Sequence, residues 1–266
     1  MRDLADAIES MEQLSTVWRA MVLDRDAGSD VRDLPGVAVR WADCRFAFWN
    51  AITLTDADAD AGLVEQCLNQ AADVMRSKKE QGFLWVFEDL LGDDARATLG
   101  AAAERAGLEY AFSGTGMAGN LLPVPEPDHP DLMFERVTTD EQLRAYADIN
   151  SRAYGFPLED GRDGLVGSVL WKKEAFAYLG LRDGVPVTCA ATVEAEGCLF
   201  VAMVATDPQW QRRGYGEAVT RKALYEGART TGLTRATLHA TVAGAHVYPR
   251  IGFESNSPVR FYGLKG

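Results

Sequence analysis

The sequence lacks the features of several protein classes. Only four cysteines occur in 266 residues, and they lie far apart, at Cys44, Cys67, Cys189 and Cys198. No C-x-x-C pair and no zinc-finger spacing is present, so we expect neither a disulfide framework nor a metal site. We interpret the cysteines as reduced core thiols of a cytoplasmic protein.

Long apolar runs and a basic face are also missing. No apolar stretch approaches the roughly 20 residues that a membrane span needs, and the acidic N-terminal stretch is unlike a signal peptide. Lys and Arg number 27 against 39 Asp and Glu, which gives a net charge of −12. We therefore expect neither a membrane nor a nucleic acid as partner, since binding to nucleic acid phosphates needs a basic face.

The negative charge is unevenly distributed. Residues 1–130 hold 11 Lys/Arg and 23 Asp/Glu, whereas residues 131–266 hold 16 of each. An acidic half beside a catalytic half favours cationic substrates through long-range attraction, but solubility alone also explains the charge. The sequence leaves both interpretations open, and it leaves open whether the acidic half mediates homodimerisation.

What the sequence does contain is a glycine-rich hexapeptide between an apolar run and a helical pattern, Gln211-Arg212-Arg213-Gly214-Tyr215-Gly216. Glycines let the backbone come close to a ligand, and the first N–H groups of a helix have no partner inside it. Such a turn suits a pyrophosphate, and two arginines add positive charge. It is neither a dinucleotide fingerprint nor a P-loop, because the third glycine and the Gly-Lys-Ser/Thr ending are missing.

The hexapeptide resembles the acyl-CoA signature of the GNAT superfamily of N-acetyltransferases, Q/R-x-x-G-x-G/A. Two further segments match in order: Val204-Ala-Thr-Asp-Pro precedes it, and Tyr248-Pro-Arg-Ile-Gly-Phe253 follows it like the family's Y-x-x-x-G-F. The resemblance implies transfer of acetyl from acetyl-CoA to a primary amine of a small molecule or protein, by direct attack in a ternary complex. A non-catalytic acyl-CoA sensor or scaffold is the alternative, and a longer acyl donor or an aminoacyl carrier is another.

The resemblance also implies site residues. The expected cofactor-binding residues are Val204, Ala205, Thr206, Gln211, Arg212, Arg213, Gly214, Tyr215, Gly216, Glu217 and Thr241. Thr241 stands where many relatives have an asparagine that contacts the pantetheine arm. Main-chain N–H groups near Val204 would stabilise the oxyanion.

Two side chains are the predicted catalytic groups. Tyr248 matches the tyrosine that protonates the departing thiolate in many family members. Phe200 occupies the position of the glutamate base of several members and cannot accept a proton. Glu194 is therefore the predicted base, with Glu196 and His239 as alternatives. An ordered water chain is a further alternative, because the amine needs to be neutral only in a small fraction of molecules in order to react.

A proline-rich, extended linker divides the chain, Pro123-Val-Pro-Glu-Pro-Asp-His-Pro130. Residues 131–266 follow the GNAT order of elements, and residues 1–122 resemble a shortened version of it. We therefore predict an α/β (α+β) protein of two GNAT-like domains, each a mixed, mostly antiparallel twisted sheet flanked by helices. Asp56, Asp58 and Asp60 stand where the family has Arg and Gly, so the first domain is expected to have lost the cofactor.

Three segments of the second domain complete the sequence predictions. Residues 155–163 are predicted as a loop near the acceptor site, with Phe156 and Trp171 lining either the acceptor pocket or the core. Residues 243–250 are predicted as a short helix. Residues 253–262 are predicted to close the sheet of this domain.

Overall fold

The computed structural model describes residues 4–121 and 124–266, so Leu122 and Pro123, at the predicted domain end and linker start, lie outside the described residues. Within those ranges, no helix combines the length and the apolar character that crossing a membrane requires. The chain forms two compact units.

The first unit contains the described residues up to Met117, together with Ala240–Ala243 and Ser255–Gly266. Its first elements are α1 (Leu4–Arg25), β1 (Asp30–Leu34), β2 (Val37–Trp41), β3 (Asn50–Leu54), α2 (Ala61–Arg76), β4 (Phe83–Phe87), α3 (Asp93–Arg105) and all but the last three residues of β5 (Leu108–Asn120). Strands β1 to β3 are antiparallel neighbours, and β3 pairs in parallel with β4. Helix α2 makes the connection between these two parallel strands.

The second unit contains Ala118–His239 and Gly244–Glu254. Its elements are β6 (Met133–Arg136), α4 (Asp140–Tyr154), α5 (Leu158–Leu165), α6 (Val169–Lys173), β7 (Phe176–Arg182), β8 (Val185–Ala195), β9 (Cys198–Thr206), α7 (Tyr215–Thr231) and all but the last two residues of β10 (Arg235–Thr241). Strands β6 to β9 are antiparallel neighbours, and β9 pairs in parallel with β10. Helix α7 makes this second parallel connection.

Local sequence explains the hairpins of the second unit. The turns between β7 and β8 and between β8 and β9 consist of Asp183-Gly184 and Glu196-Gly197, and all four residues have positive φ. Two consecutive residues of positive φ form the tight turn that matches strand twist, with glycine favoured at the second position. Strand β7 is buried on both faces except at its last residue, as expected from its apolar sequence. The two tight turns thereby fix the register of β8 against β7 and of β9 against β8.

The last strand, β11 (Glu254–Leu264), differs from the sequence prediction. Instead of closing the sheet of the second domain, it pairs antiparallel with β4 of the first unit. Arg260 binds Glu88 through two hydrogen bonds of 2.9 Å, and the Phe261 ring packs edge-on against Trp85 with centroids 4.3 Å apart. Ladder hydrogen bonds, an ion pair and an aromatic contact therefore hold the end of the chain in the first unit, unlike the predicted domain limits of 1–122 and 131–266.

Two local predictions are wrong as well. The predicted loop over 155–163 contains most of α5, because its glycines weaken the helical pattern but suit close packing: a side chain at Gly161 would collide with Ser151 of α4. The predicted helix over 243–250 is only a 3-10 turn, Tyr248–Arg250. The predicted fold class is confirmed: the chain is a mixed α/β protein of mostly antiparallel strands flanked by helices.

Candidate active site

Strand β9 carries a bulge near its C-terminal end. It pairs regularly with β8 up to Ala202 and again from Ala205, and between these pairs Met203 and Val204 face the single residue Ala190. Met203 has a φ of 52°, in the left-handed region that side chains rarely adopt. Such a bulge turns peptide groups out of the ladder and bends the strand. Main-chain groups around Val204 are thereby redirected.

Beside this bulge, the pairing between β9 and β10 ends, which leaves a gap in the ladder. Their parallel pairs run from Leu199↔Ala236 to Val201↔Leu238, and β9 continues to Thr206. The register of the described residues contains no β9–β10 pair beyond Val201. An extended ligand fits such a gap as an added strand, through main-chain hydrogen bonds.

Helix α7 begins directly after this gap. Its N-cap is Gly214, with φ 81° and ψ −1°, and no side chain caps the helix. The N–H of Ala218 donates to the Gly214 carbonyl at 3.0 Å, so the N–H groups of residues 215–217 precede the first helical bond and have no intrahelical acceptor. Three donors and the positive end of the helix dipole thus lie at one helix end, which favours an anion.

The rest of the turn brings this helix end close to β9. The Gln211 side chain donates from Nε2 to the Thr206 carbonyl at 3.2 Å. A Cβ at Gly216 would lie 3.2 Å from the Thr206 hydroxyl, so glycine permits the close approach. Arg212 and Arg213 are exposed, and Arg212 has a φ of 61°. The Arg213 guanidinium group lies over the Trp210 ring, 5.2 Å from its centroid. Both arginine side chains can be reached by a phosphate from solvent.

Tyr215 anchors the turn through its side chain. Its hydroxyl accepts a hydrogen bond from Arg182 at 2.6 Å and lies 3.4 Å from a carboxylate oxygen of Asp131. Arg182 and Asp131 also form an ion pair of 3.0 Å. This side chain is buried, so only the main-chain N–H of Tyr215 is available to a ligand.

Tyr248 opens the 3-10 turn that follows β10. Its ring is buried and packs edge-on against Phe253, with centroids 5.8 Å apart. Burial raises the pKa of the Tyr248 hydroxyl well above its ordinary value, because the phenolate loses its hydration. The group is therefore protonated throughout the physiological range, as a proton donor must be.

A charged cluster joins this 3-10 turn to α7. Glu217 binds Arg250 at 3.0 Å and Arg221 at 2.9 Å. Arg221 also donates to the Arg250 carbonyl at 2.6 Å. Glu217 thus acts through its side chain as a link between the helix and the turn that carries Tyr248, while its main-chain N–H remains at the helix end.

The candidate bases do not gather at the bulge. Glu194 is exposed and pairs opposite Leu199, at the hairpin end of β8. Val204 lies five residues farther along β9, roughly 16 Å away at strand spacing. Glu196 is exposed in the turn itself. Burial lowers the pKa of His239 to about 3, so this neutral imidazole is a weak proton acceptor. These placements argue against the predicted base Glu194.

The remaining predicted residues have mixed positions. Thr241 is exposed at the end of β10 and belongs to the first unit. Trp171 is buried and packs edge-on against Tyr146, with centroids 5.6 Å apart, as a core residue does. Phe156 is partly buried.

Sequence reasoning missed two tyrosines of α4 that reach the bulge. The Tyr146 hydroxyl donates to the Met203 carbonyl at 2.9 Å, and the Tyr154 hydroxyl donates to the Val204 carbonyl at 2.8 Å. Helical periodicity places both on the inward side of α4, but it contains no signal for what their hydroxyl groups contact.

Residues 173–255 match the model of the acetyltransferase (GNAT) domain family. The chain is similar in fold to a GCN5-related N-acetyltransferase from Kribbella flavida, with 18% identity, 96% of this chain and 97% of that chain covered, and a TM-score of 0.69. It is also similar in fold to a GCN5-related N-acetyltransferase from Sphaerobacter thermophilus. The two share 16% identity, with 98% of this chain and 92% of that chain covered and a TM-score of 0.61.

A GCN5-related N-acetyltransferase-like protein from Streptococcus suis shares 12% identity over 97% of this chain and 98% of its own, with a TM-score of 0.54. A search of curated proteins gives no significant match. At these identities the structures establish the fold, and the family model establishes the sequence match over residues 173–255. Together they confirm the predicted resemblance of this chain to the GNAT superfamily of acetyltransferases.

Proposed function

We propose that the protein transfers acetyl from acetyl-CoA to a primary amine of a small molecule or protein. The observation that carries this proposal is the gap between β9 and β10, which opens directly before the uncapped N-terminus of α7. A gap suited to an extended arm and a helix end suited to a diphosphate are the two recognition elements that acyl-CoA requires. The GNAT fold itself implies an acyl-CoA and an acceptor as substrates.

The main chain supplies most of the cofactor contacts in this proposal. The N–H groups of residues 212–217 and the guanidinium groups of Arg212 and Arg213 would hold the diphosphate. Main-chain groups of Val204, Ala205 and Thr206 would hold the pantetheine arm as a pseudo-strand. Thr241 remains a cofactor contact only by resemblance.

The chemistry is direct transfer. The neutral amine attacks the thioester carbonyl carbon, the carbonyl oxygen becomes negative, and the carbon–sulfur bond then breaks. Tyr248 donates its hydroxyl proton to the departing thiolate and regains a proton from water. The amine loses its extra proton to water, because Glu194 and Glu196 lie at the hairpin end and His239 is a weak base. Proximity of the two substrates contributes much of the rate.

The predicted cytoplasmic location is part of the same proposal. All four cysteines are buried, and none forms a disulfide among the residues that the structure describes, as expected for a reducing compartment.

A panel of amines, assayed by release of free CoA thiol from acetyl-CoA, tests this function. We expect at least one amine to support turnover, and Tyr248→Phe to lower kcat by about 10²–10⁴-fold, the contribution typical of a general acid. The dissociation constant of acetyl-CoA is expected to change little. Tyr225→Phe is the matched control, since Tyr225 lies on α7 with its ring near Lys222.

Three results discriminate the alternatives. Binding of acetyl-CoA without turnover for any amine favours the sensor or scaffold. Faster turnover with longer acyl-CoA esters changes the donor but keeps the enzyme. Equal kcat for Tyr248→Phe and wild type contradicts the role of Tyr248.

A further inference from the structure

The two α4 tyrosines bind successive carbonyl groups of the bulge. Tyr146 donates to Met203 and Tyr154 donates to Val204, at 2.9 and 2.8 Å. In a regular strand successive carbonyl groups point to opposite sides, so one helix is not expected to reach both. One peptide group has therefore been turned at the bulge, where Met203 has a φ of 52°.

The bond from Tyr146 determines the direction of one N–H group. The Met203 carbonyl and the Val204 N–H belong to the same planar, trans peptide, in which the two groups point in opposite directions. Fixing the Met203 oxygen on the Tyr146 hydroxyl therefore directs the Val204 N–H away from α4. Tyr154 has no such effect on this peptide, because it binds the carbonyl of the next one.

The Tyr146 ring is held firmly enough to act as a support. Its side chain is fully buried, and Trp171 packs edge-on against it at 5.6 Å. Burial also raises the pKa of the hydroxyl well above its ordinary value, which keeps it a donor at any physiological pH. The hydroxyl also lies 3.4 Å from the Ala202 carbonyl oxygen, but the bond to Met203 is the shorter one at 2.9 Å. A buried donor that stays protonated therefore favours one orientation of the Met203–Val204 peptide.

We infer that Tyr146 is a positioning residue that aims the Val204 N–H at the thioester carbonyl oxygen of the bound acyl-CoA. This inference rests on the proposed function, in which that N–H stabilises the oxyanion. Preorganised donors of this kind act strongly because they need no reorganisation during the reaction. Tyr146 itself does not touch the substrate.

The test is isotope-edited infrared spectroscopy of acetyl-CoA labelled with ¹³C at the thioester carbonyl, bound to wild type, Tyr146→Phe and Thr192→Val. Thr192→Val is the control, because it also removes one buried hydroxyl that donates to a main-chain carbonyl. The Thr192 hydroxyl donates to the Ala223 carbonyl at 3.0 Å, and this bond joins β8 to α7 and does not involve the bulge. We expect the carbonyl stretch to shift to lower frequency on binding to wild type and Thr192→Val, and most of that shift to be lost in Tyr146→Phe. Dissociation constants should stay within about threefold of each other, since the diphosphate contacts are unchanged.

Turnover with an accepted amine provides the second readout. We expect kcat to fall about tenfold or more in Tyr146→Phe with KM for acetyl-CoA nearly unchanged, because a misaligned oxyanion donor loses part of the 10²–10³-fold contribution of such a donor. Thr192→Val should keep the wild-type kcat even if it lowers the thermal stability as much as Tyr146→Phe does.

The possible results separate the two proposals. Equal frequency shifts in wild type and Tyr146→Phe, or a wild type that binds acetyl-CoA without any shift, overturn the inference and leave the proposed cofactor site standing. Equal losses of kcat in Tyr146→Phe and Thr192→Val also overturn it, since the effect would then be structural. A wild type that does not bind acetyl-CoA overturns the proposed function and this inference with it.

Discussion

Each unit contains the same frame, in which a strand, a turn and a helix lead to a parallel strand: β3–α2–β4 in the first unit and β9–α7–β10 in the second. The N-terminal ends of the two helices differ. Helix α2 begins with Asp60, whose carboxylate accepts a hydrogen bond from the Leu63 N–H at 2.8 Å. Helix α7 begins with Gly214 and no side-chain cap. The first helix end is thus occupied by the protein's own anion, whereas the second is open to an external one.

The strands beside these two helices differ in the same sense. In the first unit Ala59, in the turn after β3, donates to the Leu90 carbonyl at 3.3 Å and accepts from the Gly92 N–H at 3.0 Å. These bonds continue the pairing past the end of β3. In the second unit the pairing stops at Val201↔Leu238 and a bulge follows. One copy of the frame is closed by its own main chain, and the other keeps donors for a ligand.

Among changes that test the contrast between the two units, the largest effect is expected from giving α7 an anion of its own. Gly214→Glu places a carboxylate where the diphosphate would bind, so we expect the dissociation constant of acetyl-CoA to rise more than about a hundredfold, or roughly 2.7 kcal/mol. Calorimetric titration measures it. Gly214→Ala is the control, because both side chains bear the same strain at φ 81°.

Gly214→Ala should weaken binding by less than about tenfold, since it adds strain but no charge. If the two variants weaken binding equally, backbone strain explains the loss and the anion site is not at this helix end.

A second contrast lies on β10 and β4, the strands that follow α7 and α2. One residue beyond the last parallel pair, β10 has His239 and β4 has Val86. Burial lowers the pKa of His239 to about 3, so the unfolded chain binds a proton that the folded chain does not. Stability attributable to this group is therefore intact above pH 6.5 and is lost as the pH falls toward 3, by up to about 2 kcal/mol at pH 5.

His239→Gln should reduce this loss. Urea unfolding of both proteins at pH 7.5 and pH 5 measures it, and the variant is expected to lose less stability between the two. An identical loss in both proteins means that His239 is protonated in the folded state.

The third expectation concerns the closed helix end. Asp60→Ala removes the cap of α2 and should lower the free energy of unfolding by about 1 kcal/mol. The acetyl-CoA stoichiometry should remain one per chain, because the Ala59 bonds still close the strand gap. A second acetyl-CoA bound by this variant indicates that the cap alone closed the site.

The smallest effect is expected at the link between α7 and the turn of Tyr248. Arg250→Met breaks the ion pair with Glu217, in which the arginine is 60% exposed. Exposed pairs contribute less than about 1 kcal/mol, so kcat should fall by no more than about fivefold. Arg229→Met, which breaks a comparably exposed pair with Glu226, is the control, and equal kcat values in both variants exclude a role for the link.

Local sequence predicted much of the second unit. Strands β7 (Phe176–Arg182) and β9 (Cys198–Thr206) coincide with apolar runs next to the Asp-Gly and Glu-Gly turns. The glycines placed the turn before α7. Such features depend on near neighbours in the chain, so local patterns contain them.

What the sequence did not predict depends on distant partners. The pairing of β11 with β4 joins residues such as Arg260 and Glu88, which are 172 positions apart. Strand β1 is polar, lies at the edge of the sheet and has no buried residue, so no apolar pattern marks it in the sequence. The hydroxyl bonds of Tyr146 and Tyr154 depend on where α4 packs against β9, and no sequence period encodes that contact.

Hydrogen exchange with and without acetyl-CoA tests the central contrast most directly, because one experiment reports on both helix ends. Slower exchange upon binding is expected for peptides that cover residues 202–206 and 212–218, with no change for those that cover residues 56–63. Slowed exchange at residues 56–63, or unchanged exchange at residues 212–218 in a saturated complex, would contradict the assignment of the acyl-CoA site to the open end of α7.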